Sequence, residues 1–255
     1  MIRAASMCSG IGAPETAMPH WDWAWCAEIE AFPSRILARR FPHSQNLGDL
    51  TASTFSERAN AFGTVDVVMA GTPCQAFSIA GLRGGLSDAR GNITLRALQI
   101  YEELCDAART AGRAEPVYVW ENVPGVLSHA DNPFGCLLGG LAGSETALVP
   151  PNGCEWTNTG VVDGPRRTVA WRVLDAQSFG LAQRRKRVFV VAGARNGFDP
   201  AKIFLERKGM RGAFAARGQS RKDVVPTLGA GSPGGRVYGL DVGTAHRLQP
   251  VPAIP

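Results

Sequence analysis

Val65-Asp66-Val67-Val68-Met69-Ala70-Gly71-Thr72-Pro73-Cys74-Gln75 is the stretch that decides the fold class. Val65–Ala70 is an apolar run, broken only at Asp66, and lacks the polar alternation of a strand with one wet face. Such a run predicts a strand buried on both faces of a parallel sheet. Gly71 and Pro73 then end the strand and kink the chain, and Cys74 is delivered on the loop that follows. That is a good way to present a nucleophile. A cysteine after a strand is more often a small buried hydrophobe, so partners elsewhere in the chain must decide.

Outward from this stretch, apolar runs alternate with helical patterns. Ile2–Met7 and Trp23–Ala27 read as strands and Ala31–Arg40 as a helix. In Leu95–Ala111, residues Leu95, Leu98, Ile100, Tyr101 and Leu104 fall mostly on one stripe, between Gly91-Asn92 and Gly112. Val117–Trp120 predicts a strand ending at Glu121. Thr168–Leu174 and Val188–Ala192 predict a late pair of strands. The alternation predicts an α/β chain built on a parallel sheet. Gly10, Glu28, Cys74 and Glu121 all fall at or just after strand ends, where such sheets bind ligands, which argues one shared site.

The 255 residues, 45% hydrophobic, suffice for one large domain or one domain and part of another. No run of about 18 apolar residues predicts a membrane span, and the early first strand leaves no room for a signal peptide. The six cysteines (Cys8, Cys26, Cys74, Cys105, Cys136, Cys154) form no Cys-x-x-Cys pair and the four histidines are scattered, so no structural metal site is expected. A reduced, cytoplasmic protein is the natural reading. The net charge of +5 is unevenly spread. Residues 1–165 hold ten Lys/Arg against seventeen Asp/Glu, and residues 166–222 hold fifteen against three. An acidic body with an arginine-rich face predicts phosphate contacts, hence a nucleic acid partner.

Cys8-Ser9-Gly10-Ile11-Gly12-Ala13 follows the first strand, where two close glycines let a backbone turn tightly and approach a ligand. Glu28 stands eighteen residues past Gly10, at the end of the second strand, where an acid can hold both ribose hydroxyls of a nucleoside cofactor. In Gly48-Asp49-Leu50, Asp49 is placed to accept from an adenine amino group, or alternatively to cap a helix.

Taken in order, Cys8-Ser9-Gly10-Ile11-Gly12, Ala27-Glu28-Ile29-Glu30, Gly48-Asp49, Gly71-Thr72-Pro73-Cys74-Gln75-Ala76-Phe77-Ser78, Glu121-Asn122-Val123 and Gln183-Arg184-Arg185-Lys186-Arg187 are similar to the motifs of the DNA (cytosine-5)-methyltransferase family, most of all its bacterial and phage versions. The resemblance covers about residues 1–195. It implies a Rossmann-like methyltransferase sheet with helices on both faces, S-adenosylmethionine as cofactor, and double-stranded DNA as partner. It implies that Cys74 is the thiolate that attacks carbon 6 of cytosine and that Glu121 serves nitrogen 3, from a setting made apolar by Val119 and Trp120. Arg185 and Arg187 approach the base and nearby backbone. By the same resemblance, Cys8, Gly10, Ile11, Gly12, Glu28, Ile29, Asp49, Leu50 and Pro73 are expected to line the cofactor. Gln75, Ser78, Asn122 and Arg184 contact the nucleic acid, with the target base flipped from the duplex under the loop Gln75–Arg90.

The chain departs from the family at Ser6, where an acid is usual, and at Cys8, where an aromatic is usual. The resemblance divides it into a catalytic domain, 1–195, and the start of a target-recognition region, 196–255, without the family's closing motif. A second chain supplying those parts is then an expected partner, and a restriction-modification setting an expected role. Two alternatives stand beside this reading: a tRNA cytosine-5 methyltransferase of the same fold, and a non-catalytic remnant that binds cofactor or DNA.

Overall fold

The computed structural model describes residues 1–73, 93–151, 153, 155–194 and 198–205. Cys74, Gln75 and Ser78, the loop around them and the expected recognition region past residue 205 lie outside the described residues. The elements are β1 (Arg3–Met7), α1 (Ala13–Ala17), β2 (Asp22–Ala27), α2 (Ala31–Arg40), β3 (Gln45–Asn46), α3 (Phe55–Asn60), β4 (Val67–Ala70), α4 (Ile93–Thr110), β5 (Val117–Asn122), α5 (Pro133–Ala142), β6 (Thr159–Asp163), β7 (Arg167–Asp175), β8 (Lys186–Ala194) and α6 (Pro200–Leu205). The strands form one eight-stranded sheet in the order β3-β2-β1-β4-β5-β8-β7-β6. The chain winds outward from β1 to β3 and returns to continue at β4, so the switch point lies between β1 and β4.

The sheet is mixed, which corrects the expectation of a parallel sheet. Pairings among β1 to β5 are parallel, and β8 runs antiparallel to both β5 and β7. The connection from Asp175 to Lys186 is one short 3-10 turn, Ala176–Phe179, closed by Gly180 in the left-handed region. That is too short for a crossover helix, so β7 and β8 must form a hairpin. The reversal places the start of β8, with Lys186 and Arg187, at the same sheet edge as the carboxyl ends of β1, β4 and β5.

Strands β1, β2, β4 and β5 of the parallel half contribute to two cores. Ala5, Met7, Trp25, Val68, Ala70, Tyr118 and Trp120 face the larger one, with α3, α4 and α5. Ala4, Trp23 and Val67 face the other side with Met18, and Phe204 of α6 covers Ala170 and Val191 there. The predicted stripe of α4, Leu95, Leu98, Ile100, Tyr101 and Leu104, is buried, and it continues through Cys105 and Ala108. Its far end is fixed by Arg167, wholly buried, which donates to Glu102 Oε2 (3.0 Å) and Glu115 Oε2 (2.8 Å) and lies over the Tyr101 ring at 4.8 Å. A buried charge such as Arg167 is tolerated only where carboxylates reach it with such hydrogen bonds, here from the partly exposed Glu102 and Glu115.

α5 and β6 were not anticipated. α5 starts with Asn132, whose side chain accepts from Gly135 N (3.1 Å), carries Pro133 in its first turn, and stops at Gly143. Its glycines hide it from a propensity reading. A Cβ on Gly135 would stand 2.1 Å from the Leu148 carbonyl, so the returning chain packs directly on the helix backbone. Phe134, Trp156 and Trp171 meet edge to face at 5.6–5.7 Å, and Phe134 adjoins Trp120 at 6.4 Å. This aromatic block locks Trp120 in place beneath the sheet edge that carries the site. No described helix is long and apolar enough to cross a membrane.

Candidate active site

At the first two strand ends the backbone is organised around Glu28. Its carboxylate accepts from Gly10 N and from Glu30 N, both at 2.8 Å. Asn46 continues the arrangement: Oδ1 accepts from Glu28 N (3.0 Å) and Gly48 N (2.9 Å), and Nδ2 donates to Glu28 O (3.0 Å). The ends of β2 and β3 are therefore tied through one amide side chain that the sequence reading did not single out. Cys8, Gly10 and Gly12 all have positive φ, 53°, 55° and 82°, so the first loop coils back toward β2, where Ser9 N donates to Ala27 O (3.1 Å). A Cβ on Gly10 would meet no heavy atom within 4 Å, whereas one on Gly12 would strike the Phe41 ring. Gly10 faces open space and Gly12 makes room for the core.

Ile11 and Ile29 are half or more exposed on this edge. Open backbone, a fixed carboxylate and two bare aliphatic side chains fit an adenosine-like group. Leu50 does not extend that surface. Its side chain is in the core, and its carbonyl accepts from the buried Arg96 Nε at 2.9 Å. Asp49 does not cap α3. Its Oδ1 accepts from the amide and hydroxyl of Thr51, both at 2.8 Å, in a local turn.

Behind the first loop lies a buried acid that the sequence reading passed over. Glu15 of α1 is fully buried and accepts from the Ser6 hydroxyl, which also bonds Ser9 Oγ at 2.7 Å. Its second oxygen, Oε2, is buried with no hydrogen-bond partner. Burial raises the Glu15 carboxyl above its ordinary value, with the Ser6 bond partly opposing. Ser6, where the family has an acid, thus contacts an acid that arrives from the helix instead.

The third and fourth positions meet next door. Gly71 N donates to Met7 O (3.1 Å), which sets the chain leaving β4 beside the glycine loop. Thr72 is buried and Pro73 exposed. The Thr72 carbonyl accepts from Asn122 Nδ2 at 3.0 Å. Asn122 is buried and holds the chain leading to Cys74, so its side chain is spent on protein rather than on an exposed contact surface. Its Oδ1 accepts from Val123 N at 2.8 Å.

β5 runs on through Asn122, so Glu121 and Asn122 lie within the strand and pair with Phe189 and Val188. Successive residues alternate across a strand, which puts Glu121 and Trp120 on opposite faces. Of the two apolar neighbours expected beside Glu121, only Val119 shares its face. The Glu121 carboxylate faces Arg187 Nε at 2.9 Å and Arg185 Nη2 at 3.8 Å, and the side chain is 35% exposed. Arg187 reaches Glu121 as a diagonal cross-strand neighbour. Arg184 and Arg185 are exposed on the turn into β8.

Three of the described thiols, Cys8, Cys26 and Cys105, are poor nucleophiles. Burial, with help from Glu28, pushes Cys8 up to about 12, and burial takes Cys26 to about 11 and Cys105 to about 12. A thiol that stays protonated neither attacks nor binds metal. The basic face also needs correcting. Arg167 is wholly buried, Arg166 pairs with Glu102 at 2.9 Å, and Arg172 donates to Phe204 O at 2.6 Å. These cations hold the fold together, while Arg184, Arg185 and Lys186 face solvent.

A family model described as C-5 cytosine-specific DNA methylase matches residues 2–137. The DNA N-6-adenine-methyltransferase of Escherichia phage P1 is 46% identical over 245 residues, 88% of this chain and 32% of that protein. Type II methyltransferase M.NgoBV of Neisseria gonorrhoeae is 26% identical over 179 residues, covering 70% of this chain and 36% of its own length. M.AquIA of Picosynechococcus is 28% identical over 196 residues, 74% of this chain and 71% of that one. The chain therefore spans about a third of the phage P1 and gonococcal relatives. Among solved structures, Entamoeba histolytica methyltransferase EhMeth superposes with a TM-score of 0.51 at 13% identity, over 78% of this chain and 56% of that one, a likeness of fold.

Proposed function

The chain belongs to the C-5 cytosine-specific DNA methylase family, and we propose that it methylates carbon 5 of cytosine in DNA through a covalent adduct at Cys74. The observation that carries the proposal is the bond from Asn122 Nδ2 to the Thr72 carbonyl, 3.0 Å, which brings the Glu121-Asn122 strand end against the chain leading into Cys74. Carbon 5 of cytosine is a poor nucleophile. A Cys74 thiolate adding to carbon 6 breaks the carbon 5–carbon 6 double bond and makes carbon 5 electron-rich. The charge this places on the ring is relieved by a proton passed from the Glu121 carboxyl to nitrogen 3, and the carboxylate left behind is held by Arg187 and Arg185. S-adenosylmethionine, when bound, supplies the methyl group. Loss of the carbon 5 proton then expels the Cys74 sulfur and restores the double bond. The residues that would hold the cofactor are Gly10, Ile11, Glu28 and Ile29, at the edge shared with Gly71.

Exposed Arg184, Arg185 and Lys186 supply cations to the phosphates of a duplex from which the base is flipped. The phage P1 relative is named for adenine N6. An exocyclic amine attacks a methyl donor directly and has no use for a thiolate at carbon 6, so the Cys74 and Glu121 motifs argue for cytosine. The test is transfer of tritium from labelled S-adenosylmethionine to duplex DNA and, in a parallel reaction, to tRNA, followed by nucleoside digestion. Label in 5-methyldeoxycytidine, lost in Cys74→Ser, is expected. Label in N6-methyldeoxyadenosine, or in tRNA alone, would contradict the proposal.

A further inference from the structure

Thr72 is held at more than its carbonyl. Its Oγ1 lies 2.8 Å from Thr94 Oγ1 in the first turn of α4, and accepts from Trp120 Nε1 at 2.8 Å. Thr72, Thr94 and Trp120 are 3%, 1% and 0% exposed. The two hydroxyls and the indole N–H thus meet where water does not compete, and an unmade bond there leaves a stranded polar group. Trp120 is immobilised by the aromatic block, and α4 by its buried stripe. We propose that Thr94 and Trp120 are positioning residues for the nucleophile: through the Thr72 hydroxyl they fix the Thr72-Pro73 peptide and so the placement of Cys74. This rests on the cytosine-methylation reading above.

The transmission is short. Gly71 N and the Thr72 carbonyl are fixed to β1 and β5, and the Pro73 ring fixes its own φ, so few rotations separate the Thr72 anchor from Cys74. A nucleophile displaced by about 1 Å loses on the order of a hundredfold in rate. Neither hydroxyl touches the cofactor edge at Gly10 and Glu28, so binding there should not respond.

The experiment measures adduct formation in single turnover on duplex DNA containing 5-fluorocytosine, at saturating DNA and S-adenosylmethionine, with the full chain. Cofactor affinity is measured alongside by calorimetry. Thr94→Val and Thr94→Ala are expected to slow adduct formation by about tenfold or more. Thr94→Ser, which keeps the hydroxyl, should stay within about threefold of the parent, and all three should bind the cofactor as the parent does. Trp120→Phe, which deletes the N–H and keeps most of the bulk, should slow the same step and serves if a Thr94 variant does not fold. Parental rates in Thr94→Val, Thr94→Ala and Trp120→Phe would overturn the proposal. So would a Thr94→Ser as slow as Thr94→Ala. No adduct in the unsubstituted chain would instead refute the cytosine-methylation reading on which it rests.

Discussion

Glu28→Ala tests the cofactor edge because Glu28 has two separable tasks. In the protein alone its two oxygens anchor the amides of Gly10 and Glu30 at 2.8 Å. Hydrogen bonds to a charged group are worth about 1.5–3 kcal/mol each, but this side chain is only half-buried and water replaces part of the loss. A stability cost of about 1–2 kcal/mol is therefore expected, which for a chain of this size lowers the melting midpoint by about 2–8 °C. The second task is to accept from a ribose. Losing it should cost a further 1–3 kcal/mol, about 5- to 150-fold in S-adenosylmethionine affinity by calorimetry. Glu28→Gln should fall nearer to Ala than to the parent, because its NH2 must confront either the Gly10 or the Glu30 amide. Affinity within twofold of the parent in Glu28→Ala would refute the placement of the cofactor at this edge.

Glu15 gives a pH prediction. Its folded value is raised, so the native state holds a proton that the unfolded state releases near 4.5. Its contribution is fully present below that point and is lost as pH rises toward the folded value. Glu15→Gln should therefore gain in melting midpoint relative to the parent as pH is taken from about 4.5 to 8, and a constant difference would contradict the buried-acid account. Arg167→Ala removes the buried cation shared by Glu102 and Glu115, leaving them only the more exposed Arg166 and Arg109, and should cost about 3 kcal/mol by denaturant unfolding. Arg184→Ala should leave stability alone and reduce the slope of log DNA affinity against log salt by about one. A stable Arg167→Ala chain, or an unchanged slope in Arg184→Ala, would reverse the division of this arginine-rich region into structural and phosphate-facing parts.

The parallel half of the sheet was legible because its strands are short apolar runs with polar or glycine-bearing ends, and because Gly10, Glu28 and Glu121 mark those ends. The antiparallel half was less so. β6 is an edge strand with half-exposed residues, and its Gly160 is there because a Cβ would stand 2.2 Å from the Trp171 ring, a packing reason invisible in propensity. α5 was masked by glycines that its own packing requires. Charge counting placed Arg166, Arg167 and Arg172 on a binding face, since counting cannot see Glu102, 65 residues before Arg167, arrive as its partner. The apolar setting expected of Glu121 is only half present, for a related reason: Val119 shares its face and Trp120 does not. Sequence neighbours on a strand point to opposite faces, and the groups that do face Glu121 come from β8. Thr94, Trp120 and Asn46 carry no motif, and their roles appear only once the sheet brings them to Thr72 and Glu28.

The central claim is that a sulfur on the Thr72-Pro73-Cys74 segment attacks cytosine, and covalent trapping tests it most directly. The chain is incubated with S-adenosylmethionine and duplex DNA containing 5-fluorocytosine, whose fluorine blocks the final elimination, then denatured and resolved by mass. The account predicts a DNA adduct that maps to Cys74 and vanishes in Cys74→Ser. An adduct that maps to another cysteine, or methylated cytosine produced by Cys74→Ser, would contradict it.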